Sequence, residues 1–176
     1  MNNQIKNQAE ILQKMGIEAL NTMQEKAIEA INSSKEILIL SPTGTGKTLA
    51  FLLPLIKMLD PNLSQTQLMI LVPARELAIQ IEQVVRDMGT GFKVNAVYGG
   101  RSGAKEKIEL THAPSILVGT PGRVADHIRR DRITLQGIKS LVIDEFDKSL
   151  EIGFEKEMKE IVSALSSLER KILTSA

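Results

Sequence analysis

Two short stretches of this sequence combine residue types that could bind and cleave a phosphoanhydride. The first is Ser41-Pro42-Thr43-Gly44-Thr45-Gly46-Lys47-Thr48, which fits the phosphate-binding pattern GxxxxGK[ST] except that Ser41 stands at the first glycine position. Glycines let backbone N–H groups turn inward at a helix N-terminus, where partial positive charge holds polyphosphate. In such a loop Lys47 reaches the β and γ phosphates and the Thr48 hydroxyl ligates Mg2+. The second stretch is Leu141-Val142-Ile143-Asp144-Glu145, an apolar run ending in an acidic pair. One carboxylate of such a pair serves the metal and the other the attacking water; Asp144 is assigned to the metal and Glu145 to the water. Acidic pairs at strand ends also occur as solvated turns or, through Asp144, as helix caps. Paired with the phosphate loop far upstream, this one points to nucleoside triphosphate binding with hydrolysis.

Both stretches need a scaffold that ends its strands on one edge. Apolar, β-branched-rich runs occur at Ile37-Leu40, Leu68-Val72, Lys93-Val97, Ile116-Val118, Leu141-Ile143 and Ile172-Thr174. Helical patterns lie between them near Met23-Ile31, Lys47-Leu59, Arg75-Met88, Ala104-Leu110, Arg123-Arg130 and Glu155-Leu165. Near-continuous apolar strands alternating with helices predict an α/β fold, a mostly parallel sheet covered on both faces. Ligands of such sheets sit at the carboxyl ends of the strands. No repeat and no low-complexity segment interrupts the pattern.

Composition removes several classes of function. The chain has 176 residues, no cysteine and a net charge of +1, with 22 Lys and Arg against 21 Asp and Glu. That length predicts one domain, 1–176. Disulfides, thiolate zinc sites and cysteine nucleophiles are excluded, and a polybasic nucleic-acid coat is too. The longest apolar stretch, Leu49 to Ile56, is broken by Pro54 and too short to span a bilayer, and the N-terminus lacks the apolar region of a signal peptide. The expected address is the cytoplasm, with no membrane partner. Five aromatics, none of them Trp, make a base-stacking platform improbable, so any nucleic-acid contact should run through the phosphate backbone. His112 and His127 are isolated and read as surface residues rather than metal ligands.

Several further elements carry a family resemblance. Asp144-Glu145-Phe146-Asp147 resembles the D-E-A-D signature of DEAD-box RNA helicases. Gly16 to Gln24 resembles the Q motif, Ser41 to Thr48 motif I, Pro73-Ala74-Arg75-Glu76-Leu77-Ala78 motif Ia, Gly99-Gly100 the GG motif and Thr120-Pro121-Gly122-Arg123 motif Ib. Ser175-Ala176 resembles the first two letters of motif III, so the elements stand in the family's order along nearly the whole chain. The resemblance implies a RecA-like P-loop NTPase fold, with a Q-motif region at 1–33 and a P-loop core at 34–176. It implies ATP and Mg as cofactors, Gln24 as reader of adenine with Asn21 as helper or helix N-cap, and Asp147 linked to motif III at Ser175. The amide logic of Gln24 is sound chemically, since it can accept from N6 and donate to N7 of adenine.

Pro73, Arg75, Gly99, Gly100, Thr120, Gly122 and Arg123 each follow an apolar run and should emerge on the edge that carries the phosphate loop. Glycines admit a close backbone, helix N-termini receive phosphates and Arg supplies bidentate donors. The expectation is RNA bound through its backbone without regard to sequence. Arg129-Arg130-Asp131-Arg132 could extend this surface or be a solvated helix end. Phe146 replaces the Ala of D-E-A-D and sets a bulky ring beside the catalytic pair; Ala74 replaces the Thr of motif Ia, and Leu20 the usual Pro of the Q motif. The aromatic that usually stacks on adenine upstream of the Q motif has no counterpart. The chain stops at Ala176, before the Thr that completes motif III, so it is expected to be a truncated N-terminal domain, monomeric and nearly inactive alone. A C-terminal RecA-like domain would supply arginine fingers worth orders of magnitude in rate. Two other readings stay open: a non-catalytic RNA clamp, and another P-loop NTPase such as half of a DNA helicase.

Overall fold

A computed structural model describes residues 7–100 and 103–176. Two helices, α1 (Gln8–Lys14) and α2 (Thr22–Ser33), precede the sheet. The order then runs β1 (Glu36–Leu40), α3 (Lys47–Lys57), β2 (Leu68–Leu71), α4 (Arg75–Met88), β3 (Val94–Val97) and α5 (Gly103–Leu110). It finishes with β4 (Ile116–Gly119), α6 (Pro121–Arg129), β5 (Ser140–Ile143), α7 (Phe146–Ile152), α8 (Glu155–Ala164) and β6 (Arg170–Ser175). All six predicted strands form, and they pair in the order β1-β6-β5-β2-β4-β3. Every pairing among the described strands is parallel. No described helix is long and apolar enough to cross a membrane.

The near-continuous apolar strands make sense once both faces are seen to be covered. Leu68 and Ile70 of β2 face a layer built from α1 to α4, with Ile31, Phe51, Leu52 and Ile81 at its centre. Met69 and Leu71, one residue out of phase, face a second layer with Val124 and Ala125 of α6 and Met158 and Ile161 of α8. Burying each such large side chain contributes about 1.5–3 kcal/mol, so the central strands are the anchor of the fold. Pro54 does not end α3; it lies inside its last turns.

Two helices were not anticipated. The short α1 is held by a capping box in which Asn7 and Glu10 exchange hydrogen bonds at 3.0 and 2.9 Å, with Ile11 as its buried anchor. The other, α7, begins inside the acidic motif, where Glu145 takes a left-handed conformation at φ 49° and turns the chain directly from β5 into helix.

Strand order decides which loops share the carboxyl edge of the sheet. On β1, β6 and β5, three neighbours, sit the ends at Ser41, Ser175 and Asp144; on β2, β4 and β3 sit those at Pro73, Thr120 and Gly99. The phosphate loop and acidic pair therefore occupy one half of the edge, and the proposed backbone-contact loops the other.

Candidate functional site

The phosphate loop between β1 and α3 owes its shape to two glycines in the left-handed region, Gly44 at φ 83° and Gly46 at φ 86°. At Gly46 the constraint is double, because a Cβ would lie 2.4 Å from the Gln24 amide nitrogen. Ser41, at the position of the usual first glycine, donates its hydroxyl to Thr45 Oγ1 at 2.8 Å, and Thr45 donates to the Pro42 carbonyl at 2.8 Å. The Lys47 ammonium is folded into the loop mouth, on the carbonyls of Ser41 and Pro42. Gly46 caps α3 without any side-chain hydrogen bond, so the first N–H groups of the helix face the loop unclaimed. A cradle lined by free N–H donors and one ammonium suits a polyphosphate.

Asn21 and Gln24 do two jobs at the start of α2. They form a capping box, Gln24 N–H to Asn21 at 2.9 Å and Asn21 N–H to Gln24 at 3.0 Å. Their amide nitrogens also reach the phosphate loop, Asn21 to the Thr45 carbonyl at 3.0 Å and Gln24 to the Gly46 carbonyl at 3.3 Å. The amide expected to read adenine thus rests directly against the loop expected to hold phosphate.

Across the edge, Asp144 is buried at the end of β5 with its N–H on the Leu71 carbonyl of β2 at 2.9 Å. Burial pushes its carboxyl above the ordinary aspartate range; the Thr174 hydroxyl, which donates to Asp144 Oδ1, and the nearby Lys47 work against that rise. The same Thr174 oxygen accepts the Glu145 N–H at 3.1 Å. Lys148, one turn into α7, pairs with the Glu145 carboxylate at 3.0 Å, and that partner holds the ammonium above its usual range. The buried Oδ1 of Asp147 has no hydrogen-bond partner. Thr48 lies on the first turn of α3 and Asp144 directly after β5, a hydroxyl and a carboxylate of the oxygen type that small divalent cations take.

The other half of the edge is open. Arg75, 65% exposed, stands at the start of α4 with Glu76 as its ion-pair partner at 2.5 Å. Gly99 and Gly100 are exposed, and Gly100 takes φ 88°. Neither α4 nor α6 has a side-chain cap on its N-terminus: Ala74 has no donor or acceptor to offer, and the Thr120 hydroxyl is not used. Pro73 is buried behind this opening, and Gly122 lies beside the Phe154 ring. Arg123 is less available than its motif suggests: its Nε lies 2.7 Å from Glu106 and its Nη1 3.4 Å from Asp126.

The profile of the DEAD/DEAH box helicase family matches residues 21–176. The chain belongs to the DEAD/DEAH box helicase family. It is 36% identical over 170 residues to the ATP-dependent RNA helicase DeaD of Escherichia coli, covering 95% of this chain and 27% of that protein. It is also 36% identical to the DEAD-box ATP-dependent RNA helicase CshA of Bacillus subtilis, covering 94% of this chain and 34% of that one. A relative at 39% identity, the ATP-dependent RNA helicase HAS1 of Meyerozyma guilliermondii, is matched over 91% of this chain and 29% of its own. The crystal structure of a DEAD box protein from Methanococcus jannaschii superposes with a TM-score of 0.89 at 32% identity, over 99% of this chain and 49% of that one. A hypothetical ATP-dependent RNA helicase from Sulfolobus tokodaii gives 0.85 at 30% identity, over 100% and 51%. The chain spans about a third or less of the curated relatives it matches and about half of these solved chains. The sheet is a RecA-like domain of this family.

Two expectations change. His127, expected at the surface, is fully buried, because α6 turns it inward against Glu106 at 2.8 Å. The Phe146 ring, expected beside the acidic pair, packs into the second helix layer and lines an apolar pocket of about 420 Å³ with Leu150, Met158 and Leu173. Of the two readings of the Arg129–Arg132 cluster, the solvated helix end is the one that agrees with the structure, with Arg129 on Glu160 at 2.7 Å and Arg130 on Asp126 at 2.7 Å. It lies a helix length, about 13 Å, from the carboxyl edge. Sequence reasoning missed Thr174, whose only signal was a hydroxyl within the last apolar run, and Glu106, one charge among several on α5.

Proposed function

We propose that this chain is the ATP- and RNA-binding N-terminal domain of an ATP-dependent RNA helicase, which in the whole protein separates short RNA duplexes or remodels RNA–protein complexes. The observation that carries the reading is the division of one sheet edge: a phosphate cradle and buried acidic pair on β1, β6 and β5, beside uncapped helix starts and glycine loops on β2, β4 and β3.

In this reading the loop from Ser41 to Thr48 takes the triphosphate, and Lys47 leaves the Ser41 and Pro42 carbonyls for the β and γ phosphates. Thr48 and Asp144 hold Mg2+, which would neutralise charge on the phosphates. Glu145 takes the proton of the attacking water, with Lys148 and the Thr174 contact fixing where its carboxylate and backbone stand. Gln24 and Asn21 report the base to the loop they already touch, and Asp147 and Ser175 couple the acidic pair to motif III. Arg75, Gly99, Gly100, Thr120, Gly122 and Arg123, backed by Pro73, meet RNA phosphates and ignore base identity. A C-terminal RecA-like domain completes both sites, and the domain acts as a cytoplasmic monomer with little turnover alone.

Titration calorimetry of the chain with ADP and with GDP, both with Mg2+ and beside a Lys47→Ala control, tests the nucleotide half. ADP binding that GDP does not share and the control abolishes is expected. Equal binding of both removes Gln24 as the adenine reader, and no binding to the wild type removes the ATP reading. In the two-domain protein, Glu145→Gln should abolish RNA-stimulated ATP hydrolysis; an unchanged rate would favour a non-catalytic clamp.

A further inference from the structure

Helix α5 carries a buried carboxylate to which the proposed function assigns no role. Glu106 is 0% exposed, and three donors converge on it. The Tyr98 backbone N–H reaches Oε1 at 3.3 Å, while Arg123 Nε at 2.7 Å and His127 Nε2 at 2.8 Å share Oε2. A carboxylate only accepts, so His127 carries its proton on Nε2; its buried Nδ1 has no partner. The three donors come from two separate places on the carboxyl edge. Tyr98 immediately precedes Gly99 and Gly100 after β3, whereas Arg123 and His127 lie on the first two turns of α6 after β4.

A neutral side chain cannot satisfy all three donors at once. A glutamine offers one oxygen and one NH2; whichever way it turns, the NH2 faces either the Tyr98 N–H or the Arg123 Nε–H. Beside a carboxylate and an imidazole that are both fully buried, a displaced donor loses its partner at a cost. Glu106 also anchors the guanidinium at Nε, while Asp126 lies 3.4 Å from Nη1.

We propose that Glu106 is a positioning residue for RNA, which locks the Gly99–Gly100 loop and the α6 N-terminus into one unit so that both meet the same phosphate backbone. This rests on the RNA reading above. The unit moves together or not at all, so RNA on the exposed loops is felt at a buried imidazole that RNA cannot touch.

The test is a 15N spectrum of the histidine ring nitrogens, which the chain makes simple by having two histidines, His112 exposed and His127 buried. A single-stranded oligouridylate of about ten nucleotides is the probe, with the backbone amides of Arg75 and Gly100 as the independent report of binding. The expected result is that those amides shift and both His127 ring nitrogens shift with them, while His112 stays. Glu106→Gln should lower RNA affinity about tenfold, leave ADP affinity within about twofold, and remove the His127 response. Arg75→Ala should lower RNA affinity yet keep the His127 response at saturating RNA. Amides that shift with an unmoved His127 ring overturn the proposal and leave the RNA reading standing. No shift anywhere overturns both. If Glu106→Gln fails to fold, the wild-type titration still decides.

Discussion

Replacing Thr174 by valine removes one hydroxyl and almost no volume, and the structure allows the cost to be worked out. That oxygen donates to the buried Asp144 carboxylate and accepts the Glu145 N–H at 3.1 Å. A hydrogen bond to a charged group contributes about 1.5–3 kcal/mol, and a neutral bond about 1 kcal/mol. The variant should lose about 3 kcal/mol, a large share of the 5–15 kcal/mol typical of a domain. With a urea slope of about 2 kcal/mol/M, the unfolding midpoint should fall by about 1.5 M. The loss should also depend on pH. Folding raises the Asp144 pKa through burial, and Thr174 opposes that rise. A carboxyl with a raised folded pKa contributes full stability below its unfolded value of about 3.9 and loses it as pH climbs through the folded value. Without Thr174 the folded value climbs further, so the deficit of the variant should be greatest near neutrality and shrink as pH falls toward 4. A midpoint shift below about 0.5 M, or a deficit that is flat between about pH 4 and 7, would refute the assignment of Thr174 as the tie between Asp144 and Glu145.

Three further outcomes are expected. Gly46→Ala should destabilise the chain by about 2 kcal/mol in urea unfolding and abolish ADP binding, because it forces a left-handed alanine and displaces the Gln24 amide. Ala74→Thr should raise the unfolding free energy by about 1 kcal/mol by capping α4, whose N-terminus lacks a side-chain cap. Arg75→Ala should leave the melting temperature unchanged and weaken RNA binding severalfold in a filter assay, whereas Arg129→Ala, at the far end of α6, should change neither.

Much of the architecture was written in period and composition. The apolar runs at Leu68-Val72 and Leu141-Ile143, alternating with helical patterns, read as buried strands, and the glycines at 44 and 46 marked a loop between strand and helix. The strand order was not legible, since β1 and β6 share no local pattern; their pairing is decided by how the helices fill the two faces. Helix α7 was hidden because its first residues belong to the acidic motif, and the turn into it rests on a left-handed Glu145 that no propensity would suggest. His127 was misread because a lone histidine carries no signal of its burial; its partner Glu106 lies 21 residues away, on another helix. Asn21 and Gln24 were legible as candidates, but not the fact that their amides hold the phosphate loop.

Along the carboxyl edge, neighbouring strands are stitched together at the point where each loop departs. Ser41 bonds to Ser175 at 3.2 Å, Asp144 to Leu71 at 2.9 Å, Val72 to Gly119 at 3.0 Å and Thr120 to Val97 at 3.1 Å, all through backbone atoms. The step between β5 and β6 is made instead by the Thr174 side chain at 3.1 Å. With strands about 4.8 Å apart, the edge behaves as a ruler of about 24 Å whose marks are fixed. A flexible polymer laid across it must adopt the spacing of the marks, and adaptation is left to the polymer and to the tips at Gly99 and Gly100. The one mark secured by a side chain rather than by backbone lies under the acidic pair, which makes it the place where a single substitution can change the spacing of the ruler without cutting the sheet.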